Sequence, residues 1–159
     1  MQPNPPTEEY AEPFDLGVPI GSAPMPVLLA TDANTLIAFW FSSGQAEQVA
    51  VVEFDRCLVA TLGEPSEDTL HGHRLYEKGL GYGANVVHHS AWLAEFKELA
   101  RRTEADFDEP WWDAKFKHYV ICFQDSTFQC IAARFYVRTF TEPMEQVLWR
   151  VIQDGYRLK

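Results

Sequence analysis

Short apolar runs separated by turn-forming residues dominate the first half of the chain. Residues 27–31, 36–41 and 48–62 are rich in branched and aromatic side chains, which are typical of β-strands. Residues 32–35 and 42–44 carry the Asp, Asn, Ser and Gly of turns. This pattern predicts a β-meander whose third strand is bent or bulged near Asp55 and Arg56.

The pattern changes to a helical period after residue 90. A short strand is predicted over 84–88, and Ser90 is placed to cap a helix in which Trp92, Phe96 and Leu99 share one face. Residues 104–110 should break that helix. Residues 117–137 then predict a hairpin with apolar residues on both faces of each strand, as expected inside a covered sheet.

The chain closes on an amphipathic helix. Thr141 can cap it, Pro143 suits its first turn and Gly155 can end it. Its apolar stripe is formed by Met144, Val147, Leu148, Val151 and Ile152. The predicted order β-β-β-β-α-β-β-α describes an α+β domain, with a mainly antiparallel sheet and two packed helices.

The first 24 residues differ from the rest. Seven of the ten prolines lie within residues 1–26, together with several acidic side chains. We expect an extended or disordered acidic tail over 1–24, which Tyr10, Phe14 and Leu16 could pin to a single domain over 25–159.

Charge and cysteine content narrow the function. A net charge of −10 repels phosphate backbones, so we expect no nucleic-acid partner. The acidity suits a basic partner or a cation, although solubility alone is the simpler explanation. No apolar run is long enough to cross a bilayer, no signal-peptide pattern is present, and three cysteines do not make a disulfide framework. We therefore expect a cytoplasmic protein without a membrane partner.

One segment, residues 63–83, concentrates the candidate chemistry. It holds five of the nine glycines and two of the five histidines, and polar side chains on a glycine-hinged loop are well placed for binding. We expect Tyr76 and Tyr82 to line a pocket over the sheet. The candidate ligand-binding residues are His71, His73, Tyr76, Tyr82, His88, Trp111 and His118.

His71 and His73 are also candidate metal ligands. In an extended segment both imidazoles would face the same side. His88 or His89 could add a third ligand, and Glu64, Glu67 or Asp68 could add a carboxylate. The motif has low specificity, and hydrogen bonding within the loop is the simpler interpretation. No cofactor is otherwise predicted.

Trp111 and Cys122 raise further alternatives. Trp111 and Trp112 lie among acidic residues, so they could bind a cationic ligand, or one of them could anchor the segment to the core. Cys122 would oppose Cys130 if the hairpin loop had three residues, although buried free thiols are the favoured interpretation.

The loop and hairpin together resemble a group of small bacterial proteins that have no assigned activity. The matching stretches are HGHRLYEKGLGY, NVVHHSAWL and KHYVICFQDSTFQCIA, within residues 63–133. The group's pattern is GHPLY followed by HDSTFEC. Arg74 replaces its proline, Gln124 its histidine and Gln129 its glutamate, and the loss of two ionisable groups weakens a catalytic interpretation of the hairpin.

Two functions follow as hypotheses. The first is a binding or interaction domain that holds a small molecule or protein partner near the glycine- and histidine-rich loop. The second is an enzyme of unknown class, either a metal-assisted hydrolase or a biosynthetic tailoring enzyme, that uses the loop histidines. The sequence does not decide whether the protein is an enzyme.

Overall fold

Nine strands form two antiparallel sheets within residues 7–156, the part of the chain that the computed structural model describes. The strands are β1 (Tyr10–Pro13), β2 (Val27–Ala30), β3 (Thr35–Ser43), β4 (Ala46–Asp55), β5 (Val59–Gly63), β6 (Gly83–His88), β7 (Lys117–Cys122), β8 (Thr127–Ala132) and β9 (Arg134–Phe140). One sheet has five strands in the order β1-β6-β7-β8-β5, and the other has four in the order β2-β3-β4-β9.

The prediction of one sheet was wrong because two long strand segments turn a corner. The segment 48–62 leaves the four-stranded sheet at Arg56, whose φ is 50°, and enters the five-stranded sheet as β5. The segment 127–140 crosses back at Ala133. The two corners lie together, since Ala133 N–H donates to the Asp55 carbonyl at 3.0 Å and the Arg134 and Asp55 side chains pair at 2.9 Å.

The main core lies between the two sheets. Phe39 and Phe54 on the four-stranded sheet pack against Tyr119 and Phe128 on the five-stranded sheet and against Phe123 in the turn between β7 and β8. The outer faces are covered as well, which explains why β3, β4, β7 and β8 carry apolar residues on both sides. The sheets therefore form the two central layers of the molecule.

In the described part of the chain, three α-helices cover these outer faces: α1 (Ala91–Thr103), α2 (Glu109–Lys115) and α3 (Met144–Gln153). The predicted cap of α1 is confirmed, because Ser90 Oγ accepts the Leu93 N–H at 3.0 Å. Helix α2 was not predicted. Asp108 caps it, and Trp112 is buried on it, so the predicted break after α1 is only a short link.

Helix α3 packs on the four-stranded sheet as its stripe predicts. Met144, Val147 and Val151 are buried against that sheet, and Gly155 follows the helix with a φ of 73°. The helix begins after Pro143, and no side-chain cap from Thr141 is present.

Part of the N-terminal segment belongs to the fold. Strand β1 extends the five-stranded sheet by pairing with β6, and Ala11 and Leu16 are buried. Apolar residues thus anchor the proline-rich segment between positions 10 and 16. Residues 1–6 lie outside the described residues, so the tail expectation stays a prediction for them.

Candidate ligand-binding cleft

The glycine- and histidine-rich loop folds onto the outer face of the five-stranded sheet. Two short 3-10 helices, Glu67–Gly72 and Tyr76–Lys78, give it shape. Leu70, Leu75 and Leu80 point inward and cluster with residues of β1, β6 and β7. Burial of a leucine side chain contributes roughly 1.5 to 3 kcal/mol, so these three contacts hold the loop in place.

Gly79 lies very close to β1. Its φ is +97°, and a Cβ at this position would collide with the carbonyl oxygen of Ala11. Glycine is therefore required here both by the backbone conformation and by the space. Gly72 and Gly81 have no positive φ, and a Cβ added at either would meet no atom within 4 Å, so neither constraint applies to them.

The seated loop forms an open cleft of about 700 Å³, which we call the tyrosine cleft. Its lining residues are Glu67, Leu70, His71, Tyr76, Gly79, Leu80, Gly81 and Tyr82. Three of the candidate ligand-binding residues, His71, Tyr76 and Tyr82, thus lie at one cleft. Leu70 and Leu80 also belong to the buried cluster beneath the loop, which ties the cleft directly to the sheet.

The polar groups of the tyrosine cleft differ in how they are held. The Tyr82 hydroxyl donates to the Gly21 carbonyl at 2.7 Å, which fixes its ring against the N-terminal segment. Burial raises the pKa of Tyr82, and the charges of Glu67 and Asp125 act in the same direction. Within residues 7–156, the Glu67 carboxylate and the Tyr76 hydroxyl have no hydrogen-bond partner, so both are available to a ligand.

His73 lies at a second cleft of about 410 Å³, with Arg74, Trp92 and Gln129. Its Nδ1 accepts the Leu75 N–H at 3.1 Å, and burial lowers its pKa. The segment around His71 is a 3-10 helix, so the extended geometry that would point both imidazoles the same way is absent. Among the described residues, no group of three or more His, Cys, Asp or Glu side chains could hold a metal ion.

His88 and Trp111 also lie apart from the tyrosine cleft. His88 stacks on Tyr10 with ring centroids 4.7 Å apart, and its Nε2 lies 2.7 Å from a Glu12 carboxylate oxygen. Trp111 is half exposed on α2, and Lys115 Nζ lies 4.4 Å from its ring centroid. Trp112 is the tryptophan that anchors α2 to the core.

His118 is fully buried between α1 and the five-stranded sheet. Its Nδ1 lies 2.8 Å from Ser90 Oγ and its Nε2 lies 3.2 Å from Gln129 Oε1. Because an amide oxygen only accepts, Nε2 carries the proton, and the Ser90 hydroxyl donates to Nδ1. Burial lowers the pKa of His118 to about 4, so the ring is neutral at pH 7.

The Ser90–His118–Gln129 chain has the order of a nucleophile, a base and an orienting group. Neither Ser90 nor His118 lines either of the two clefts described above, however, and the Ser90 hydroxyl accepts the hydrogen bond that caps α1. We therefore assign these residues to joining α1 to the sheet. In the sequence, His118 is a polar residue inside an apolar strand, which indicates a buried hydrogen-bond partner. Nothing in the sequence identifies that partner as Ser90.

Glu9 is a further residue that the sequence did not single out. One carboxylate oxygen accepts the Ala91 N–H at 3.0 Å, and the other pairs with Arg74. Glu9 thus connects the N-terminal segment, the loop and the start of α1. Desolvation opposes its ionisation, but these partners outweigh it and lower its pKa.

The cysteines are free, and the hairpin register separates two of them. Cys122 lies opposite Thr127, whereas Cys130 lies opposite Tyr119. Cys122 belongs to the cluster under the loop and Cys130 to the core between the sheets. The register needed for a cross-strand pair is therefore absent.

The chain matches no known protein family, no curated protein and no solved structure. Over residues 7–156, no helix has both the length and the apolar character needed to cross a membrane.

Proposed function

We propose that this protein is a binding domain that holds a small-molecule ligand in the tyrosine cleft. The observation that carries the proposal is the convergence of Glu67, His71, Tyr76 and Tyr82 on one open cleft of about 700 Å³. Small-molecule sites usually have about 300 to 1,000 Å³ and combine apolar walls with a few polar groups.

The buried residues beneath the cleft favour a binding function over a surface loop that has no ligand. Leu70 and Leu80 are at most 5% exposed, whereas Tyr76 and Tyr82 are 47% and 38% exposed. The walls are thus fixed to the sheet while the rings remain accessible. A preformed site of this kind loses little conformational entropy when a ligand binds.

The cellular location is a further part of the proposal. Cys57, Cys122 and Cys130 are all free, which suits a reducing compartment. We propose a cytoplasmic protein on this basis.

A fragment screen tests the binding function. Isotope-labelled protein would be mixed with a library of neutral aromatic and heterocyclic fragments, and amide shifts would be followed by NMR. We expect the shifts produced by hits to concentrate in residues 67–82. Tyr76→Leu should weaken those hits by about 2- to 10-fold, since an aromatic contact contributes roughly 0.5 to 1.5 kcal/mol.

Tyr136→Leu is the matched control, because Tyr136 is also 47% exposed but lies on β9. It should leave fragment binding unchanged. Hits that map consistently to another surface, or that respond equally to both substitutions, would contradict the proposed site.

A further inference from the structure

The tyrosine cleft is negatively charged. Within the described part of the chain, Glu67 is the only lysine, arginine, aspartate or glutamate among its lining residues. The charge of Asp125 acts on the Tyr82 phenol as well and raises its pKa. The whole chain also carries a net charge of −10, so the field around the cleft attracts cations.

Two exposed aromatic rings accompany this charge. Tyr76 and Tyr82 both line the cleft and are 47% and 38% exposed, and no ring contact joins them to each other within the described residues. The face of an aromatic ring attracts a cation that lies within about 6 Å of its centroid. The negative charge of the cleft and its two aromatic rings therefore both favour a cationic ligand.

The small number of charged hydrogen-bond acceptors in the cleft narrows the class of cation that it can hold. A primary ammonium carries three N–H donors and a guanidinium five, and each donor needs an acceptor when it leaves water. Among the residues described, Glu67 is the one charged acceptor that lines the cleft, the Tyr76 hydroxyl is a neutral unpaired acceptor, and the Tyr82 hydroxyl is already engaged with Gly21. A quaternary ammonium has no N–H donor, so rings and a single carboxylate are sufficient to hold it.

We infer that the ligand of the tyrosine cleft carries a quaternary ammonium group. This inference rests on the proposed binding function and specifies its ligand chemistry. The Tyr76 and Tyr82 rings contact the N-methyl groups, and the Glu67 carboxylate balances the charge. The group belongs either to a free small molecule of the choline type or to a trimethylated lysine.

The test is an NMR titration at constant ionic strength with choline and with 3,3-dimethylbutan-1-ol, its uncharged isostere. We expect choline to shift amides in residues 67–82 and to bind roughly tenfold or more tightly than the isostere, since cation–π contacts and an ion pair both depend on charge. A short peptide containing trimethyllysine separates the two sources: tighter binding than choline indicates a modified protein, and weaker binding a free metabolite.

The variant Glu67→Gln should weaken choline binding about two- to fivefold, the range expected for an exposed ion pair. Glu77→Gln is the control, because Glu77 is an exposed carboxylate in the same loop but does not line the cleft. The amide spectrum of each variant reports whether it is folded.

Equal binding of choline and its isostere at the cleft would overturn the inference while leaving the proposed binding function intact. Choline shifts confined to another surface, or no shift in a folded protein, would also overturn it. If the neutral fragments bound elsewhere as well, the binding function would fail separately.

Discussion

Substitution of Gly79 by alanine tests whether the loop is seated on β1. Gly79 has a φ of +97°, and an added Cβ would collide with the Ala11 carbonyl oxygen. Because the colliding atom belongs to the backbone of a paired strand, it cannot rotate away as a flexible side chain would. Either β1 or the loop must move.

The expected cost has two parts. Alanine in the left-handed region is unfavourable by roughly 1 to 2 kcal/mol, and forcing a Cβ against a backbone atom costs about 1 to 3 kcal/mol, as overpacking does. Together they predict a loss of roughly 2 to 5 kcal/mol in the free energy of unfolding. The total free energy of unfolding of a typical domain is only about 5 to 15 kcal/mol, so the expected loss is large.

Urea unfolding, followed by tryptophan fluorescence, measures this loss. Gly72→Ala is the matched control, because Gly72 lies in the same loop without a positive φ and with no atom near an added Cβ. The control should remain within about 0.5 kcal/mol of the wild type, as ordinary surface substitutions do. An equally stable Gly79→Ala protein would refute the close approach of the loop to β1.

Three further predictions concern the buried polar chain and the thiols. The pKa of His118 falls from 6.5 in the unfolded chain to about 4 in the fold, so between these pH values only the unfolded state takes up the proton. Relative to His118→Gln, the wild type should keep its full free energy of unfolding above pH 6.5 and lose up to about 3 kcal/mol of it as the pH falls from 6.5 to 4. A difference in the free energy of unfolding that does not change with pH would contradict this. Ser90→Ala removes both the cap of α1 and the donor to His118, so urea unfolding should show a loss of about 1 to 3 kcal/mol, whereas the exposed control Ser42→Ala should show almost none. The neighbouring Cys130 thiol lowers the pKa of Cys57 to about 7, and burial raises the pKa of Cys122 to about 11. A thiol reagent at pH 7.5 should therefore label Cys57 first, and mass spectrometry showing faster labelling of Cys122 would disprove this order.

Local patterns predicted most of the secondary structure. The cap at Ser90, the stripe on α3 and the two-sided apolar hairpin are all visible in residues within a few positions of one another. The bend at Arg56 was also expected, but a bend in one strand does not reveal that the chain enters a second sheet. That outcome depends on the corner at Ala133, which lies far away in sequence and pairs with Asp55.

The candidate site could likewise be predicted only in part from the sequence. Tyr76 and Tyr82 were predicted to share a pocket, and both line the tyrosine cleft. His71 and His73 were expected to face one side only if the loop was extended, and the 3-10 helix separates them between two clefts. The burial of His118 could not be predicted, because it depends on where α1 packs.

Intermolecular NOEs test the central claim most directly, since they show which rings surround a bound cation. With choline present, we predict NOEs from its N-methyl protons to the ring protons of both Tyr76 and Tyr82. Trp111 is the natural competitor, as it is another half-exposed aromatic residue with acidic neighbours. NOEs to Trp111 without any to the two tyrosines would contradict the account.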